Sequence, residues 1–359
     1  MQTATADSDR LYWIDVFRGL AILLMIPANL APYYAMPHEM WYRIFGSYAA
    51  PMFVSISAGM VMLRGDRHPA KYYVERGLLV LLVGVLLDAA LWLIMPGTSF
   101  DVLYIIGPGM ILAWLARNWN SWRTLAAVAF FFAMSVVLRN NVGYNETAYQ
   151  IYWNDFAWPA FPRLMQSWFI DGWFAIFPWM GFSLFGVWLF RMLFRSAETK
   201  PSPAVLLFGA ACAVIGFSLL WMPVQGLDNF ASNAIIESRE AYSEIFYPPT
   251  MSYLLSAVGV VILFALGVRM LKPHKVWSAL AYFGRYSMLV YILHQALGYR
   301  VVSPLIALLW DTDTLAFGWS FALLNVLVAA VIALLIWVVE RVKLRYRPRM
   351  IFLQIIFGR

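Results

Sequence analysis

The chain has 359 residues, 62% of them hydrophobic and only 13% charged. Soluble domains carry about 25% charged residues, so this composition excludes an ordinary water-soluble domain. The formal charge of +7 comes from bases in short segments between apolar blocks, which membrane orientation explains better than nucleic-acid binding, and the single cysteine, Cys212, excludes a disulfide framework or a Cys-rich metal site.

The apolar blocks are close to the ~20 residues that a bilayer-spanning helix needs, and they do not alternate, so helices are expected rather than a closed barrel. Residues 1–11 read as a flexible cytoplasmic tail: they are polar and carry Asp7 and Asp9, unlike the start of a signal peptide. Ten spans follow, at roughly 12–34, 44–63, 77–95, 101–116, 122–138, 168–190, 204–223, 250–270, 280–303 and 316–339. The ninth contains a candidate break at Gly284. The expected fold is an all-α polytopic membrane bundle, with 12–340 as a single transmembrane domain. With Arg18 and Arg285 set aside as lying within spans, one side of the membrane holds 19 Lys and Arg and the other five. That asymmetry predicts both termini in the cytoplasm. The tail 341–359 interleaves bases with Met350, Ile351, Phe352, Ile355, Ile356 and Phe357, a pattern that lies on the inner leaflet of the bilayer.

Charged residues at the mouth of a span are expensive, so the run Arg10-Leu-Tyr-Trp-Ile-Asp-Val-Phe-Arg-Gly-Leu-Ala21 asks for a reason. Asp15 and Arg18 are three apart and share a helix face, so they can neutralise each other, and the arginine can also grip a phosphate. Pro27 and Pro32 disturb the far end of the same span. Irregular backbone at membrane depth must be buried in protein or line a wet cavity. Asn29 sits between the two prolines and His38 follows in the next connection. One reading makes His38 a base and Asn29 a donor to an oxyanion; the other leaves a solvated loop histidine and a helix-capping amide.

The connection 139–167 is long and aromatic, with Tyr144, Tyr149, Tyr152, Trp153, Phe156, Trp158 and Phe161. It is either an interfacial belt or a stacking surface for sugar rings. Asp88, inside the third span, must pair or protonate, and His38, His294 and Arg300 are conceivable partners. In the ninth span Ser287, Tyr291 and His294 recur at i, i+4 and i+7, a polar stripe that belongs toward the interior. Its bland reading is a structural hydrogen bond between helices. His68 and His274 fall in basic loops, and Asn145-Glu-Thr matches a common glycosylation sequon.

Four stretches in order resemble one family. They are Arg10 to Gly59 with Asp15, Arg18-Gly19, Asn29, His38 and Ala50-Pro-Met-Phe-Val-Ser-Ile-Ser-Ala-Gly59; Asp101-Val-Leu-Tyr-Ile-Ile-Gly107; Phe177-Pro-Trp-Met-Gly-Phe182; and Gly284-Arg-Tyr-Ser-Met-Leu-Val-Tyr-Ile-Leu-His-Gln295, where Met288 departs from the family's leucine. Together they resemble the transmembrane acyltransferase core of heparan-alpha-glucosaminide N-acetyltransferase and its bacterial relatives. The wider acyltransferase-3 group usually has a histidine where this chain has Asn29, which favours the heparan-type branch.

The resemblance implies a membrane acetyltransferase of the bacterial inner membrane. It would take an acyl group from cytoplasmic acyl-CoA, acetyl-CoA first, and pass it to an extracytoplasmic glycan or amino-sugar acceptor at an amine or hydroxyl. His38 is then the catalytic base, with Asn29 and His294 as catalytic partners. Asp15, Arg18, Arg64, Arg76, Ser287 and Tyr291 would bind the donor, the arginines through its phosphates; the positive-inside rule accounts for the loop bases equally well. A homodimer is also among the implications. No metal-ligand cluster and no nucleic-acid partner is expected. The alternative class is a multi-pass transporter or flippase of a glycan or lipid-linked substrate, whose sites also use broken helices at mid-depth.

Overall fold

A computed structural model describes residues 11–36, 38–145, 147, 149–194, 202–221, 244–310, 312, 314–346 and 356. The expected tail at 1–11 therefore falls almost wholly outside the described residues, as does most of the segment expected at 224–249. The first six residues of the expected 341–359 tail continue the last helix instead, and nearly all the rest lies outside the described residues.

Fourteen α-helices are described: α1 (Tyr12–Leu30), α2 (Met40–Gly46), α3 (Ala49–Arg64), α4 (Ala70–Leu86), α5 (Val102–Ala116), α6 (Ser121–Val142), α7 (Phe161–Gln166), α8 (Ile176–Phe194), α9 (Pro203–Trp221), α10 (Met251–Arg269), α11 (Lys275–Arg285), α12 (Ser287–Leu297), α13 (Ser303–Trp310) and α14 (Trp319–Tyr346). Eight stretches are long and apolar enough to cross a membrane, and α5 is a shorter apolar helix. The all-α polytopic architecture read from the sequence is borne out. The expected third span is α4, continued through a wide turn at Leu87–Trp92.

The ninth span is not one helix. It breaks at Tyr286, between α11 and α12, because Tyr286 leaves helical geometry (φ −108°, ψ 27°). The break thus falls two residues after Gly284.

Helices that approach closely do so over small residues, as membrane bundles generally do. Gly77 of α4 meets Gly107 of α5, Gly186 of α8 meets Ser55 of α3, and Gly259 of α10 meets Ala213 of α9. The apolar windows of α3, α8 and α10 are each 72% buried, whereas that of α14 is 17% buried. The first three are therefore the interior of the bundle and α14 is perimeter.

One end of the bundle carries the basic residues Arg64, Arg117 and Arg269 at helix termini. The other end carries the aromatic connections. There the 143–171 segment is tied down by Asp171, which is fully buried. Its carboxylate accepts from Arg163 at 2.7 Å and from the side chain and backbone of Asn145 at 2.6 and 3.2 Å. A short antiparallel pairing then lays Ile151–Trp153 against Leu93–Met95.

Candidate active site

A cavity of about 520 Å³ lies between α1, α3, α5 and α12 and reaches the loops of the aromatic end. That is the size of a pocket for a small ligand. The wall is mostly apolar (Met25, Phe53, Trp92, Ile106, Phe174, Met288), with polar groups at a few points. Charged groups on the wall are two carboxylates, Asp101 and Glu244; no Lys, Arg or His is among the described lining residues.

α12 presents Ser287, Tyr291 and Gln295 to the cavity, one helical turn apart. Tyr291 is buried and donates its phenolic hydrogen to Asp101, lying 2.8 Å from both carboxylate oxygens. Asp101 also caps α5, accepting from the Leu103 amide at 3.1 Å. Gln295 donates to the Asn29 side-chain oxygen at 3.1 Å, and Asn29 donates to the Met25 carbonyl at 3.0 Å. Asn29 thus lines the cavity and is held on both sides of its amide.

Neither histidine from the sequence reading lines the cavity. His38 is buried, not a solvated loop residue; its Nε2 lies 3.1 Å from the Tyr34 carbonyl. A carbonyl only accepts, so Nε2 carries a hydrogen, and Nδ1 has no hydrogen-bond partner among the described residues. The ring packs edge-on to Tyr42 and beside Phe317, and its bond to Tyr34 ties it to the residue after the turn Ala31–Tyr33, which lines the cavity. His294 is also buried, with Nδ1 3.0 Å from the Val290 carbonyl and Nε2 without a partner. It lies behind Tyr291, ring to ring at 5.3 Å. On α12 the face toward the cavity is therefore Ser287, Tyr291 and Gln295, and the expected i+7 stripe turns away at its last member.

At the basic end, Asp15 is buried between two arginines: Arg18 Nη1 at 3.4 Å and Arg285 Nε at 3.9 Å. The i, i+3 pairing of Asp15 and Arg18 read from the sequence is present, and Arg285 joins it from α11. Beside this group, Tyr282 and Tyr286 both donate to Glu340 of α14, at 3.2 and 2.7 Å. Arg64 and Arg76 stand at the same end on α3 and α4, apart from the cavity wall. Arg76 donates to Tyr72, and the Arg64 carbonyl accepts from Tyr73.

Asp88 pairs with none of the suggested partners. It accepts from Tyr104 at 2.6 Å, the Gly97 amide at 3.0 Å and Ser99 at 3.5 Å, while Arg300 donates to the Ala90 carbonyl. The tight turn after α4 brings Gly97 and Ser99 back over Asp88, which no spacing rule announces. Of the loop aromatics, Tyr152 reaches the cavity wall, while Trp158 and Phe161 are largely exposed.

Sequence reasoning missed three wall residues as functional groups. Asp101 and Gln295 were in view inside quoted motifs. Glu244 follows an undistinguished stretch and carries no pattern that could have marked it.

A polytopic helical bundle with a ligand-sized cavity between its helices, and two arginines around a buried aspartate two residues along the chain from its wall, is a membrane protein built around a small-molecule site. Residues 10–224, more than half of the chain, match the family described as heparan-alpha-glucosaminide N-acetyltransferase, catalytic, and the chain belongs to that family. Membership makes it a membrane acetyltransferase in general terms. No curated protein matched the chain. The matched stretch contains Asp15, Arg18, Asn29 and His38, while Ser287, Tyr291 and His294 lie beyond it.

Proposed function

We propose that this protein transfers an acetyl group from cytoplasmic acetyl-CoA to a sugar amine or hydroxyl on the opposite side of a bacterial inner membrane. The basic end faces the cytoplasm, as the distribution of Lys and Arg argues. The donor's phosphates rest on Arg18 and Arg285, with Arg64 and Arg76 as a wider basic rim and Asp15 holding the first two apart from bulk water. The thioester arm passes the break at Tyr286 and enters the cavity beside Ser287 and Tyr291. The acceptor arrives from the aromatic end, past Tyr152.

One observation carries this reading. Arg285 touches Asp15 beside Arg18, and Ser287, only two residues later, is on the cavity wall. Along α1 the same step runs from Arg18 to Met25, about 10 Å at 1.5 Å per residue. A phosphate-type site and a ligand cavity are thus neighbours along two separate helices.

In the transfer, the acceptor's lone pair attacks the acyl carbon, the carbon–sulfur bond breaks, and the acceptor's proton must leave. Asn29 donates to the oxygen on which negative charge develops. His38 takes the proton; its support is the family match over residue 38 and an Nδ1 with no hydrogen-bond partner among the described residues. His38 is not on the cavity wall, so the step requires a rearrangement that brings the ring to the cavity or a water that bridges. His294, with Nε2 open and its ring against Tyr291, is the second histidine of the reading.

The test uses purified protein in lipid vesicles with labelled acetyl-CoA and amino-sugar acceptors. Acceptor-dependent loss of label from the thioester is expected, and His38→Ala should lower turnover at least ~100-fold, the scale of general-base catalysis. Full turnover in that variant would remove His38 from the mechanism. Coenzyme A should also raise the melting temperature, as any ligand of the folded state does; a transporter of glycans would show no such shift.

A further inference from the structure

On the cavity wall the Asn29 amide is held between two partners, and one of them, the Met25 carbonyl, can only accept. The Asn29 amide nitrogen therefore points to Met25, so its oxygen faces Gln295. Gln295 sits one turn beyond Tyr291 on α12, and its Nε2 lies 3.1 Å from the Asn29 oxygen. Only an N–H can satisfy that oxygen, so the NH₂ of Gln295 faces Asn29. The orientation of this amide is thus set by Met25 through Asn29.

Counting what is left gives the consequence. An Asn amide has two N–H donors, and Met25 uses one of Asn29's. The second is left for the cavity that Asn29 lines. If the Gln295 amide were reversed, its oxygen would face the Asn29 oxygen, and Asn29 would have to turn away from Met25.

We propose that Gln295 is a positioning residue: its NH₂ group holds Asn29 with one N–H aimed at the carbonyl oxygen of the bound acyl group. This rests on the reading of Asn29 as the oxyanion donor and adds the device that orients it. Gln295 itself touches neither reacting atom.

The experiment is Gln295→Glu in the vesicle assay, with Asn29→Ala and the melting temperature measured in parallel. The introduced carboxylate is nearly isosteric but offers only oxygens to the Asn29 oxygen. At pH 8 kcat should fall ~100-fold, the scale of one lost oxyanion donor, with KM for acetyl-CoA within ~twofold. As pH falls, the introduced carboxyl gains a proton and one O–H donor. The variant's kcat relative to wild type should then rise about tenfold per pH unit until the carboxyl is protonated. A merely structural loss would not recover in acid.

A variant with wild-type melting that keeps kcat within threefold, or that loses kcat with no acid recovery, overturns the proposal. If Gln295→Glu does not fold, Gln295→Leu replaces it, with the same kcat loss expected and retained kcat overturning the idea. If Asn29→Ala retains turnover, the oxyanion reading itself fails; if Asn29→Ala is inactive while Gln295→Glu is not, only the positioning role fails.

Discussion

Gly284 and Asp15 meet backbone to backbone: a methyl group on Gly284 would stand 1.9 Å from the Asp15 carbonyl oxygen. The contact is reciprocal. One on Gly19 would stand 2.0 Å from the Leu280 carbonyl oxygen. The two glycines come from separate sequence motifs, Arg18-Gly19 and Gly284-Arg285, and their crossing is what brings Arg285 to the Asp15–Arg18 pair.

Gly284→Ala should therefore force α1 and α11 apart. Overpacking a tight contact costs about 1–3 kcal/mol or more. A melting temperature lowered by several degrees is expected, together with loss of stabilisation by coenzyme A, because the arginines no longer flank Asp15. Thermal melts with and without coenzyme A check this. An unchanged ligand-induced shift in the variant would show that the crossing does not build the donor site.

Arg18 and Arg285 should contribute separately to that site. Arg18→Gln and Arg285→Gln each remove a charge-assisted contact worth about 1.5–3 kcal/mol when desolvated. Both side chains are partly exposed here, at 24% and 43%, so the lower end applies, about a tenfold weaker Kd for coenzyme A. Titration calorimetry in detergent reads this directly, and weakening should be larger for coenzyme A than for dephospho forms carrying fewer charges. Wild-type affinity in both variants would move the nucleotide elsewhere.

The ease of reading this chain differed between its layers. The helices were legible because a bilayer demands ~20 apolar residues per crossing, and that length is written into the sequence. The Asp15–Arg18 pair was legible because i and i+3 always share a helix face. What joins Arg285 to that pair is a glycine contact 265 residues later in the chain, and local periodicity carries no such information. The same limit applies on α12. A helical wheel groups Ser287, Tyr291 and His294, but which side of that arc faces the cavity is decided by Asn29 and Asp101 on other helices, and they select Gln295. For Asp88, the partners were hidden because Gly97 and Ser99 come from a turn folded back over the helix end and Tyr104 from α5 beyond it.

That turn makes Asp88 a structural acceptor, which separates two outcomes. Asp88→Leu leaves the buried Tyr104 phenol without an acceptor, at about 1–3 kcal/mol, while the Gly97 N–H keeps only the Tyr104 oxygen. Asp88→Asn keeps one accepting oxygen, so its loss should be clearly smaller. Melting temperatures should rank wild type, Asn variant, Leu variant, and the Asn variant should keep most of its acetyl transfer. An Asn variant that melts normally but is inactive would instead make Asp88 a proton carrier.

Asp171 offers the sharpest test of how the aromatic loop serves the cavity. It gathers Arg163 and Asn145, the far parts of a segment whose middle supplies Gln150 and Tyr152 to the wall. Asp171→Ala unties both, leaving the Asn145 amides and the Arg163 guanidinium to find water at the bundle end. Removing one partner of a buried ion pair costs about 3–5 kcal/mol, less here because Arg163 is 23% exposed. The proposed donor site lies at the opposite end, so KM for acetyl-CoA should hold within ~twofold while KM for the acceptor rises about five- to tenfold. Steady-state kinetics with each substrate varied in turn gives the split. Equal rises in both constants would mean that the loop supports the whole bundle, and no change in either would detach it from the acceptor's route.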